Sequence, residues 1–404
     1  MDGARAPDGV WRNWSRSVEA RPAHFERPGD EEEAAGIVRR VHARGGTLRA
    51  VAAGHSSNAQ LVSDDTLLCT RGLCGVIRAD RASLEAEVYA GTPLEALGEA
   101  LYEHDLALPN YGDIATQTIG GAVSTGTHGT GITEPNLSGM LIAAELIDGR
   151  GERRRIARED LDTLRAARVS LGALGVFTRL TLRLVPAFDA ERREYAAPTD
   201  AALADLDALV AGNRSLDFYW YPRRDDIKLR LVNPFGGGTP APAYGRLLEL
   251  RSGHGHELIP THSGIAHRFE ESEFAMPYEA GVACFQALRR RVLARWRASV
   301  GWRVLWRTVK ADDGDLSPAS GRDTVTISLH QNASLPWREF FDDLEPVFRD
   351  HGGRPHWAKK HRLRAAELAP LYPGWAHFQQ VRARFDPDGT FATPYMRALL
   401  GVPS

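Results

Sequence analysis

Two stretches with strand-like alternation carry side chains able to hold charge or move protons. In GWRVLWRTVK (301–310), alternation places Arg303, Leu305, Arg307 and Val309 on one face and Val304, Trp306, Thr308 and Lys310 on the other. In DTVTISLHQN (323–332), Val325, Ile327 and Leu329 form one face. Thr326, Ser328 and His330 share the other, so His330 is read as reaching into a cavity beside Ser328. An imidazole there is a candidate proton acceptor near neutral pH. Two small-residue stretches, AAGHSSN (52–58) and GGAVSTGTHGTG (120–131), combine backbone N–H groups with hydroxyls and suit a pyrophosphate. No GxGxxG follows a strand and no GxxxxGK[ST] occurs, so a Rossmann crevice and a P-loop are excluded as the means of binding it.

Other constellations read as structural. HGHELIPTH (254–262) lacks HExxH spacing and is broken by Pro260, so it is read as a loop and no metal site is expected. The arginines Arg289 to Arg297 spread around a helix and read as a solvated face rather than a nucleic-acid surface. Asp312 with Asp313, and Asp386 with Asp388, sit among turn residues and read as structural.

The elements that must position these groups follow from local patterns. Asp30 is placed to cap a helix carrying Glu31 to Glu33 in its first turn and stopped by Gly45 and Gly46; a strand then runs into the loop at Gly54. SLEAEVYAG alternates Leu84, Ala86 and Val88 against Glu85, Glu87 and Tyr89, and Thr92-Pro93-Leu94-Glu95 reads as a capping box opening a helix. Leu108 to Gly131 reads as a binding loop. Strand, helix and strand patterns then close an α+β domain near Pro186. The middle, about 188–350, reads as a second α+β domain, and the tail as turn-rich, site-building segments. With 404 residues, 43% hydrophobic and 25% charged, the chain is long enough for two or three packed units. A formal net charge of -2 gives no global field toward nucleic acid or anionic lipid. Three cysteines without a CxxC pair encode neither a disulfide framework nor a zinc cluster. With no export signal or membrane span expected, a reducing cytoplasm fits best.

Taken together, R-x-V-x-x-GHS (49–56) and TIGGxxxTGTHG (118–129) resemble the vanillyl-alcohol oxidase flavoprotein superfamily. ESEFAMPYE (271–279), WRTVKADD (306–313), PHWAK (355–359) and RFDPDGTF (384–391) bring the likeness closer to its aldonolactone and alditol oxidase branch. The resemblance covers nearly the whole chain. It implies an α+β, two-domain fold: an FAD-binding PCMH-type domain (1–187), a mixed α/β substrate-cap domain (188–350) and a C-terminal segment (351–404) returning to the flavin site.

The implied cofactor is FAD, joined covalently through His55, with further contacts from Gly54, Ser56, Ser57, Gly120, Gly121, Thr125, Gly126, Thr127, His128, Gly129, Gly175, Val176 and His356. Arg307 and Lys359 match the family's active-site arginine and lysine; His330, from its strand face, is the candidate base. The implied activity is hydride abstraction from an alcohol carbon of a sugar-derived lactone, polyol or related hydroxylated metabolite, with O2 as acceptor and hydrogen peroxide as product. Alternatives are a dehydrogenase using another acceptor, or a tailoring enzyme with a non-sugar substrate. Two positions depart from the family pattern. Leu305 stands where many members carry the acid of an E-x-R pair, and Ala122 where alditol members carry serine. Both losses lead to the expectation of a more apolar pocket that binds polyols poorly.

Overall fold

The structure, a computed structural model, describes residues 9–260 and 267–403. His262, part of the HGHELIPTH segment, lies outside them. The first half builds two larger sheets besides two two-stranded ones. A three-stranded parallel sheet, in the order His24–Glu26, Thr66–Cys69, Leu48–Val51, lies beside a five-stranded antiparallel sheet in the order Arg153–Ile156, Leu141–Ile147, Val176–Arg183, Glu85–Tyr89, Val76–Asp80. The helix Glu31–Ala43 joins them. Asp30 accepts a hydrogen bond from the Glu33 N–H at 2.8 Å, and Ala34, Ala35, Ile37, Val38 and Val41 pack with Leu48, Leu68, Ile147 and Val176. Phe391, from the far end of the chain, completes this core.

The second half is dominated by one eight-stranded sheet. Its order is Arg246–His254, Asp189–Pro198, Asp226–Asn233, Ser215–Tyr221, Val304–Val309, Thr324–Asn332, Phe269–Pro277, Arg354–Pro355. One face is apolar. Phe218 stacks on Trp306 with ring centroids 5.3 Å apart, and Phe285 of the helix Gly281–Arg295 packs edge-on against Phe218 and Trp220. Because side chains alternate, the opposite face collects what remains: Asp217 opposes Arg307, Tyr219 opposes Leu305, Leu305 opposes Ser328, Ser328 opposes Glu273, and His330 opposes Glu271. Burying aromatic residues on one side thus forces a polar, charged lattice on the other.

Several local expectations are corrected. Thr92 forms no capping box: Pro93 is the N-cap of the helix Leu94–Tyr102, and the Thr92 hydroxyl donates to the Tyr89 carbonyl instead. The glycine-rich stretch is a loop only in part, since Ile119–Thr125 is helical and ends at Gly126 in a left-handed conformation. The tail keeps turns and irregular backbone at 356–364 and 386–393, as expected, but also forms the helices Trp375–Phe385 and Pro394–Leu400. Within HGHELIPTH, Gly255–Leu258 form a short helix. The arginine-rich helix is no simple solvated face: Arg289 is paired with Asp225 and Asp200, and Arg291 and Arg295 converge on Asp343. The two aspartate pairs are structural as expected at their first members. Asp312 accepts from Asn136 and Ser317, and Asp386 from the N–H groups of Thr390 and Phe391.

Candidate active site

Two cavities meet at His55, Gln117 and Ala358. The first, about 830 Å3 including its open mouth, runs between the two larger N-terminal sheets and is lined by the Arg49–Ser56 segment, Gln117, Thr118, Gly120, Gly121, Ala122, Ser124, Thr125, Leu171, Gly172, Gly175 and Phe177. Gly54 turns the chain there with φ +70°, a conformation that favours glycine. Arg49 holds the far end rigid: its guanidinium donates to the carbonyls of Gln60, Leu171, Gly172 and Phe391. Small side chains leave room for a large flat ligand, hydroxyls and an amide supply polar contacts, and Val51, Leu61, Leu171 and Phe177 supply apolar walls. These features fit FAD.

The second cavity, about 1080 Å3, lies under the polar face of the large sheet. Its walls include Asp113, Tyr219, Phe269, Glu271, Trp302, Arg303, Leu305, Arg307, His330, His356 and Lys359.

The sequence-derived site residues divide between these spaces. Gly54, His55, Ser56, Gly120, Gly121, Thr125 and Gly175 line the first; Thr127, His128, His356, Arg307, His330 and Lys359 line the second, and His55 lines both. Ser57, Gly126, Gly129 and Val176 line neither. Val176 belongs to the helix-packing core, Gly126 caps a helix, and Gly129 is pressed so close to Tyr111 that an added Cβ would lie 2.3 Å from its carbonyl oxygen. Ser57 serves as a latch, its N–H donating to the Ala358 carbonyl at 2.8 Å. Ala122 lines the first cavity, so its missing hydroxyl does not change the second.

His55 sits under Trp14, ring centroids 5.5 Å apart, with Nε2 2.9 Å from Thr116 Oγ1. Burial, reinforced by the positive charges of Lys359 and Arg71, pushes its pKa down to about 3, so the imidazole is neutral and its lone pair available.

Neither Glu271, which lines the second cavity, nor Glu273, buried next to it, was assigned from the sequence, although ESEF spaces them two apart and therefore on one strand face. Glu273 accepts from His128 Nε2 at 2.8 Å, from Arg307 Nη2 at 2.6 Å and from Ser328 Oγ. Burial alone would raise its pKa; Arg307 first, then His128, outweigh burial and hold the carboxyl well below the usual range. Burial likewise opposes the charge of Glu271, but Lys359 and then His330 keep its pKa lowered, and Lys359 Nζ donates directly to Oε2. Burial holds His330 down to about 4, with Glu271 pulling the other way. The pocket keeps carboxylates despite the departures at Leu305 and Ala122. Leu305 supplies no acid, but Glu271 and Asp113 reach the same cavity from other elements.

His128, Glu273 and His356 bring one potential metal-ligand atom each within 4.8 Å of one another. Both Glu273 oxygens are already engaged, and an added dication would press against the Arg307 guanidinium, so the trio acts as a hydrogen-bonded support.

This fold and this pair of cavities define an FAD-binding oxidoreductase. Residues 22–157 match the FAD binding domain model and residues 261–399 the D-arabinono-1,4-lactone oxidase model. The chain is 33% identical to the L-gulono-1,4-lactone dehydrogenase of Mycobacterium tuberculosis, over 97% of this chain and 99% of that protein. It is 30% identical to the alditol oxidase of a Streptomyces species, covering 96% and 98%. A cholesterol oxidase structure from B. sterolicum shares the fold, with a TM-score of 0.82 at 15% identity and coverage of 97% and 96%. The chain belongs to the aldonolactone and alditol oxidase branch of the vanillyl-alcohol oxidase superfamily and is an FAD-dependent oxidoreductase acting on CH–OH groups.

Proposed function

We propose that the protein oxidises an alcohol carbon of a sugar-derived lactone or polyol held in the second cavity. FAD in the first is joined covalently to His55, and O2 is the acceptor. The observation that carries this reading is that His55, Gln117 and Ala358 belong to both cavities, so the residues that would hold FAD in the first adjoin the polar sheet face of the second. When bound, FAD accepts a hydride at N5. The chain's residues do the rest. His330, kept neutral by burial, accepts the hydroxyl proton; Arg307 and Lys359 hold substrate oxygens and offset the negative charge that develops. The neutral, desolvated imidazole of His55 supports the covalent link, since only an unprotonated ring nitrogen can attack carbon.

The chain is read as a cofactor domain over 1–187, a cap over 188–350 and a returning segment over 351–404. Supporting it, the large sheet opens at Asp189, and the tail meets the GHSSN loop through Ser57 and Asn58. Among the described residues no helix is long and apolar enough to cross a membrane. The three cysteines are unbridged, which agrees with a reducing cytoplasm as the proposed location.

Acid precipitation tests the covalent link: the pellet is expected to be yellow, and a colourless pellet with all pigment in the supernatant refutes the tether. Anaerobic bleaching by lactones and polyols tests the activity; a pigment bleached by none of them overturns it. The 33%-identical relative named as a dehydrogenase favours a second reading in which a different acceptor is used. Stoichiometric peroxide under air supports the oxidase, and its absence during turnover supports the dehydrogenase.

A further inference from the structure

Directly opposite each other on neighbouring strands, His330 and Glu271 place two proton acceptors face to face. His330 Nδ1 lies 3.1 Å from the Arg303 carbonyl oxygen. A carbonyl only accepts, so Nδ1 carries the proton, and in the neutral ring Nε2 is a bare lone pair. Glu271 Oε1 lies 3.5 Å from Nε2; the other oxygen, Oε2, is held by Lys359. Two lone pairs therefore face one another in a buried wall of the second cavity, with Phe269 edge-on to the imidazole. This arrangement lacks a proton, and it becomes favourable when one arrives on Nε2.

We infer that Glu271 is the positioning residue of the proton-transfer step, acting through His330; this rests on His330 being the base. As the substrate C–H bond breaks and its electron pair passes as hydride to the flavin, the O–H bond breaks and its proton passes to His330 Nε2. The C–O bond becomes C=O: the substrate loses two electrons and the flavin gains them. The positive charge gained by the ring is then stabilised by the Glu271 carboxylate, whose Oε1 lies 3.5 Å from Nε2 and whose position Lys359 fixes. Leu305 offers no carboxylate on the neighbouring strand, so Glu271 fills this role from the strand Phe269–Pro277.

The charged groups facing His330 are Glu271 from that strand, Arg303 and Arg307 from the strand region on its other side, and Lys359 from the returning segment. Of these only Glu271 raises its proton affinity. Asp113 and His267 lie elsewhere on the cavity wall.

The test uses the flavin-loaded protein, 15N-labelled at histidine, with the His330 signal identified by its loss in His330→Gln. Glu271→Gln is expected to move the His330 protonation midpoint to lower pH and the acid limb of kcat/KM with it. It should lower kcat roughly 10- to 100-fold with little change in KM. Glu271→Asp, which keeps the charge, is expected to restore the midpoint. Turnover within twofold of the parent overturns the inference, and so does a fall in turnover with an unmoved midpoint, since a mere structural prop would behave that way. If His330→Gln itself turns over normally, the base assignment has failed instead, which separates the two readings.

Discussion

The side-chain amide of Asn58 donates to the carbonyl of Lys359 at 3.0 Å and to that of Trp357 at 2.6 Å, tying two motifs 299 residues apart in sequence. This amide and the Ser57 N–H connect the loop that carries His55 to the segment that carries Lys359, so the imidazole and the cation are set by the same few bonds. Asn58→Ala leaves one buried and one half-buried carbonyl without that donor. It is expected to lower stability by about 1–3 kcal/mol and to reduce both flavin incorporation and kcat, read from thermal melts and pigment per protein. A variant with parental melting, colour and turnover would show that the latch does not set the site.

Replacing the Lys359 ammonium is expected to damage chemistry more than binding. Lys359→Met removes a positive charge from the cavity wall and leaves Glu271 without its ion-pair partner. Turnover should fall on the order of 100-fold, by analogy with the loss of one preorganised charge-stabilising donor. Steady-state kinetics on the best substrate checks this, and unchanged turnover removes Lys359 from the machinery.

Leu305→Glu addresses the departure at the strand centre. The new carboxylate would share a strand face with Arg303 and Arg307, which can balance its charge. A polyol hydroxyl would gain an acceptor worth about 1 kcal/mol, so kcat/KM for xylitol-like compounds should rise roughly fivefold. An equal or lower value would mean that Glu271 and Asp113 already meet that need.

Acidification should weaken the fold in a defined window. Burial sets His55 and His356 at about 3, and His330 and His361 at about 4, against about 6.5 in the unfolded chain. Below pH 6.5 the unfolded chain takes up protons that the native state refuses, so stability falls as pH drops from about 6.5 toward 4 and levels off below the folded values. At pH 5 each such histidine costs about 2 kcal/mol. Glu271 and Glu273, also held low, extend the loss toward more acid pH. Melting temperatures at pH 7 and pH 5 test the sign; equal values would mean that these imidazoles are charged in the fold.

Alternation along the strands already marked, in the sequence, which faces carry polar and charged side chains. Strict alternation put Arg303, Leu305 and Arg307 together, and Ser328 with His330, because side chains on a strand repeat every two residues whatever the strand pairs with. The two small-residue stretches and the family motifs likewise pointed to FAD and to His55 at its edge. Tertiary structure alone decided which of these faces meet. Strand order across the large sheet brought Glu271 opposite His330 and Glu273 beside Arg307, and no local pattern records strand order. It also moved His128 and His356 to the second cavity, turned Val176 into the core and put Ala122 in the wall of the first, since spacing along a chain does not say which side of a shared wall a residue faces. Charge states followed from the same cause. Whether an imidazole is neutral depends on how deeply it is buried and which ions lie near, and both are set by contacts far apart in sequence.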